Sequence, residues 1–142
     1  MKIDQNKFNH AIALFDELNS KDPNHELING KEEPKELIYA QRVTTMLKSY
    51  VPSPSEILQL AARCQHIQRW KIKRKSFPMT KQGYHQWRTN LRELHAKTAE
   101  TILREVGYEE NIIDHVCSLV KKEGLKTDVE SQALEDVVVL VF

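Results

Sequence analysis

At 142 residues with 40% hydrophobic content, 29% charged residues and only four glycines, the chain is large enough for one real core and composed like a helical protein. No run approaches the ~18 apolar residues that a membrane helix needs, and the N-terminus lacks a signal peptide's apolar centre. The net charge of +1 conceals a division: residues 1–62 carry seven Lys/Arg against nine Asp/Glu, residues 63–104 eleven against two, and residues 105–142 three against nine. A middle third at +9 can gather phosphates or a polyanion, although a solvated face answered by the acidic C-terminal third would look the same.

In chain order, Phe8, Ala11, Ile12, Phe15 and Leu18 keep helical spacing, with Asp4 or Asn6 available to cap a first amphipathic helix. Residues 20–34 are polar and turn-rich and are expected to form a loop, with His25 exposed and Pro34 opening the next helix. Tyr39, Val43, Met46, Leu47 and Tyr50 mark that second helix's buried stripe, which stops at Val-Pro-Ser-Pro. Ser53, with Pro54 next and Glu56 three residues on, has capping-box spacing for a central helix.

That central stretch, Leu58 to Trp70, is the best candidate for a site. Leu58, Ala61, Ala62 and Gln65 share one helix face whose small alanines admit close neighbours, and His66 sits at its rim. Lys71 to Met79 reads as a basic loop, and Thr80 caps a long helix carrying Tyr84, Trp87, Leu91, Leu94, Thr98 and Ile102, stopped by Gly107. Ile112, Ile113, Val116, Leu119 and Val120 form a shorter helix closed by Gly124, and the last helix opens near Thr127 or Asp128. Val137 to Phe142 has strand propensity, but Ala133, Val137 and Val141 continue a helical face and no strand partner is evident. The chain stops within that apolar run, so its last helix either packs at once or belongs to a longer protein. The expected architecture is all-α, a single domain of about six helices over residues 1–142.

Two classes of function suit the basic middle. Arg88 and Arg92, one turn apart beside His95, can grip a phosphate in pairs, with Arg63 and Arg69 as further ligands of a pocket for a small phosphorylated or nucleotide-like molecule. Alternatively Arg69, Lys71, Lys73, Arg74 and Lys75, near Trp70, Phe77, Tyr84 and Trp87, suit an RNA such as tRNA. Trp87 and Tyr84 also keep the spacing of core residues. There is no Gly-rich phosphate loop, GxSxG elbow or HExxH, and Cys64 and Cys117 form no CxxC pair, which suits a reducing cytoplasm.

The helix order, with Leu-Ala-Ala-Arg-Cys-Gln-His-Ile in the middle, His-Ala-Lys-Thr-Ala-Glu-Thr-Ile-Leu at 95–103 and Leu-Glu-Asp-Val at 134–137, resembles a degenerate form of the all-helical HD superfamily of metal-dependent phosphohydrolases. That resemblance implies a site at Tyr39, Gln65, His66, His95 and Asp136, with His66, His95 and Asp136 left to hold Mn, Mg or Zn where Tyr39 and Gln65 replace the usual ligands. The phrases Glu-Leu-Ile-Tyr-Ala-Gln-Arg, Ala-Ala-Arg-Cys-Gln-His-Ile-Gln-Arg-Trp, Gly-Tyr-His-Gln-Trp-Arg-Thr and Ala-Leu-Glu-Asp-Val resemble more closely an uncharacterised family of bacterial and fungal proteins, the domain-of-unknown-function 4202 family. Some of its fungal members carry a glutamyl-tRNA synthetase-like label.

Overall fold

Of the small-residue stretch that begins at Leu58, residues 58–64 lie in a nine-residue helix around which the other helices are arranged, while Gln65 to Trp70 leave it in a turn rather than continuing it. A computed structural model describes residues 5–123 and 128–141. Its elements are α1 (Gln5–Asn19), β1 (His25–Ile28), β2 (Lys31–Pro34), α2 (Lys35–Tyr50), α3 (Glu56–Cys64), α4 (Lys81–Val106), α5 (Glu110–Val120) and α6 (Val129–Val141). Leu58, Leu60, Ala61, Ala62 and Cys64 of α3 are all buried, because α1, α2 and α5 pack against it from different sides. Phe15, Val43, Leu47, Leu103, Val116, Leu119 and Val137 complete the core. The result is one mostly helical domain, and among the described residues no helix is long and apolar enough to cross a membrane.

Local chemistry explains most boundaries. The Thr80 hydroxyl accepts from the Gly83 amide at 3.0 Å, and Gly107, at φ 103°, ends α4 in the left-handed conformation that a side chain would resist. The C-terminal valines are helical as far as Val141. Expectations placed on Asp4, Gly124, Thr127 and Phe142 fall outside the described residues.

Three expectations need correction. Residues 25–34 are a hairpin rather than a loop: His25 pairs with Pro34 and Ile28 with Lys31, and Asn29 and Gly30 turn the corner at φ 50° and 81°, the positive pair that an Asn-Gly hairpin turn requires. Ser55, not Ser53, caps α3, accepting from the Leu58 amide at 3.1 Å, while Ser53 lies in the preceding turn at φ 51°. Tyr50 and Tyr84 are exposed rather than buried, each lying within a turn of a helix end.

The start of α2 is capped from a distance. Pro34 stands at the cap position with no side-chain acceptor, and the buried carboxylate of Asp22 takes its place, accepting from the Glu36 amide at 2.9 Å and from the Asn24 amide at 2.9 Å. Asp22→Ala is expected to cost about 2 kcal/mol in urea unfolding, since it strips two part-buried amides of their acceptor.

Candidate functional site

Three segments bring polar side chains to one narrow cavity of about 10 Å³, lined by Gln65, His66, Arg88, Leu91, Arg92, His95, Val120 and Lys122. Arg88, Leu91, Arg92 and His95 recur at helical spacing along one face of α4. Gln65 and His66 follow the end of α3 in a turn that Gln68 closes at φ 58°, and the buried side-chain oxygen of Asn19 accepts the Gln68 amide at 3.0 Å. Lys122, just past α5, also has a positive φ, 63°, and bridges to Glu135 of α6 at 3.0 Å. Two non-glycine residues held in the left-handed region therefore flank the cavity, a costly arrangement that concentrates at functional sites.

The histidines lie together. The His66 ring stacks on Tyr39 at 4.4 Å with planes 8° apart, and the His95 ring lies 5.8 Å from His66. His95 Nδ1 lies 2.7 Å from the Ile67 carbonyl oxygen. Burial, with the nearby charge of Arg69, pulls the His66 pKa well below the ordinary imidazole value, and burial lowers that of His95 to about 4. Both rings are neutral near pH 7.

Hydrogen bonding around the cavity is incomplete. The Tyr39 hydroxyl donates to Gln65 Oε1 at 3.1 Å, which leaves the amide nitrogen Nε2 turned away from that bond. Gln65 Nε2, His66 Nδ1 and Arg92 Nε are all buried without a hydrogen-bond partner among the described residues. Glu36 comes nearest to relieving this, with Oε1 4.0 Å from His66 Nδ1.

Burial raises the Glu36 pKa to about 7, against the lowering influence of Arg69. A carboxyl with a raised folded-state pKa favours folding most below its unfolded value of about 4.3, and that contribution fades as pH climbs towards 7. Glu36→Gln is therefore expected to leave stability unchanged near pH 4 and to raise it by about 1–2 kcal/mol near pH 8, as read from urea midpoints at the two pH values.

The residues expected from the sequence divide. Arg88, Arg92, His66 and His95 meet at the cavity, together with Gln65. Arg69 lies on a separate groove of about 680 Å³, whose lining includes Glu36, Trp70, Lys73, Arg74 and Trp87, and its guanidinium covers the Trp87 ring at 5.2 Å.

Arg63 is instead occupied inside the fold, gripping both carboxylate oxygens of Asp16 at 2.7 and 2.8 Å and donating to Thr44. Arg74 is tied to the backbone oxygens of Phe77, Pro78 and Thr80. Asp136 does not line the cavity: its carboxylate accepts from Tyr50 at 3.1 Å and Gln132 at 2.9 Å. Glu135, one residue earlier and so about 100° round the helix, is the α6 acid that reaches Lys122.

A divalent cation is a poor fit to this lining. Two neutral imidazoles and an amide are offered without a carboxylate, and Arg88, Arg92 and Lys122 bring like charge to the same space. Lys122 and Glu36 are the site residues that the sequence left unmarked; Lys122 depends on a left-handed turn and Glu36 on the distant cap from Asp22. Cys64 is fully buried and burial pushes its thiol pKa up, which removes it as a nucleophile.

No curated protein and no solved structure matches this sequence. A family profile described as a domain of unknown function, DUF4202, matches residues 9–142, so the chain belongs to that family.

Proposed function

We propose that the protein binds a small phosphorylated or nucleotide-like ligand whose anionic end enters the cavity between Gln65, Arg88, Arg92 and Lys122. The observation that carries this reading is the cluster of unpaired buried polar atoms, Gln65 Nε2, His66 Nδ1 and Arg92 Nε, around one cavity. Each unmade hydrogen bond of this kind costs about 1–3 kcal/mol, and two of the three atoms are donors that an oxyanion would satisfy. The cationic lining supports an anion there rather than Mn, Mg or Zn. A volume near 10 Å³ holds about one water-sized group, so admitting a tetrahedral anion requires the long side chains of Arg88, Arg92 and Lys122 to draw apart, and the body of the ligand lies outside, where the larger groove offers Arg69, Trp70 and Lys73.

A second reading, an RNA such as tRNA laid along residues 69–75, is favoured by the exposure of Lys71, Lys73 and Lys75. Calorimetric titration with inorganic phosphate, a nucleoside monophosphate and tRNA over a range of salt separates the two. The pocket reading expects 1:1 binding of the small ligands, a shallow salt slope, and loss with Arg88→Ala. Steep salt dependence with tRNA, about one unit of log–log slope per phosphate contact, together with loss on Lys73→Glu and none on Arg88→Ala, would reverse the order.

A further inference from the structure

The cavity that these donors line is also lined by His95, whose ring offers one fixed acceptor. His95 is 3% exposed, and its Nδ1 lies 2.7 Å from the carbonyl oxygen of Ile67. A carbonyl oxygen can only accept, so Nδ1 carries the hydrogen, and on a neutral ring the lone pair is then at Nε2. Nothing among the described residues hydrogen-bonds Nε2. At Gln65 the choice is set the other way: the Tyr39 hydroxyl occupies Oε1, so the amide offers Nε2 as a donor to the cavity that Arg88, Arg92 and Lys122 also line.

We propose that the cavity selects an oxyanion that still bears a hydrogen, a phosphate rather than a sulfate, with Nε2 of His95 as the specificity-determining acceptor. The inference rests on the anion reading above and specifies which anion. Sulfate near neutral pH presents only acceptor oxygens, so one of them would meet the His95 lone pair with no hydrogen between. Hydrogen phosphate keeps one P–OH, which donates to Nε2 while its other oxygens accept from Gln65, Arg92, Arg88 and Lys122. A phosphomonoester meets the same requirement as its monoanion, below its second pKa of about 6. A mismatched polar contact in a buried site lowers affinity by about tenfold or more.

The test is competition calorimetry with inorganic phosphate and sulfate at matched ionic strength and pH 7. The wild-type protein should bind phosphate at least about tenfold more tightly than sulfate. In His95→Asn, the amide nitrogen can keep the bond to Ile67 while Nε2 is gone, and the ratio should fall to near one, chiefly through weaker phosphate binding. Nitrogen-15 spectra of the wild-type imidazoles give a reading that needs no variant: His95 should show a bare Nε2 in the free protein, shifting with phosphate and not with sulfate. Equal affinities in the wild type, a ratio that survives His95→Asn, or a hydrogen on Nε2 of the free protein would each overturn the selectivity and leave the anion site standing. If neither ion binds, the anion site itself fails, and the selectivity with it.

Discussion

Gly83→Ala is expected to destabilise the protein by about 2–4 kcal/mol, the opposite sign to an ordinary helical glycine, where alanine gains about 1 kcal/mol. A Cβ at position 83 would stand 1.9 Å from the Pro78 carbonyl oxygen and 2.8 Å from its carbon, contacts with backbone that cannot be relieved by turning a side chain. The loop cannot withdraw cheaply either. Arg74 holds the carbonyls of Phe77 and Pro78 at 3.3 and 3.0 Å, and the Trp87 indole donates to the Ile72 carbonyl at 2.8 Å, so the loop is tied to α4 from both sides. Urea unfolding of the variant reads the effect directly. A gain in stability would mean that the loop gives way freely, and the wall it provides for the groove would then be a soft one.

Arg92→Met is expected to move stability and ligand affinity in opposite directions. Arg92 buries an unpaired Nε and shares its cavity with Arg88 and Lys122, so replacing the guanidinium while keeping an apolar stem removes an unmet donor and a like-charge repulsion. Stability should rise by about 1 kcal/mol. Affinity for inorganic phosphate should fall by about tenfold to a hundredfold, because a charge-assisted bond is lost from a desolvated site. A loss of stability with unchanged affinity would make Arg92 a packing residue. Opposed signs are the mark of a group kept for binding at the expense of the fold.

What could be read from the sequence follows from the range of the forces involved. Thr80 and Gly107 bound α4 through contacts within a few residues, and the apolar spacing of α1, α4 and α5 is helical throughout, so these elements are legible. The hairpin carried its signal in Asn29-Gly30, but Leu27 is 70% exposed and the flanking strands lack the alternation that marks a buried sheet. Ser53 and Ser55 flank Pro54 and both stand just ahead of Glu56, and only the backbone's left-handed step at Ser53 decides between them. At the site, one helix face sufficed to group Arg88, Arg92 and His95. Asp136 was one position from the acid that reaches the site, a difference of about 100° that apolar spacing around Val137 and Val138 did not resolve. Arg63 was drawn to Asp16, 47 residues away, by a pairing that local pattern cannot reveal.

The cavity as an oxyanion site is tested most directly by a crystal structure of the protein grown or soaked with inorganic phosphate at several salt concentrations. The expected result is one tetrahedral ion within hydrogen-bond distance of Gln65 Nε2 and Arg92 Nε, with Arg88 and Lys122 displaced outward and in contact with it, and its occupancy little changed by salt. Phosphate found only along Lys71, Lys73 and Lys75, or a cavity that stays empty at saturating phosphate, would contradict it.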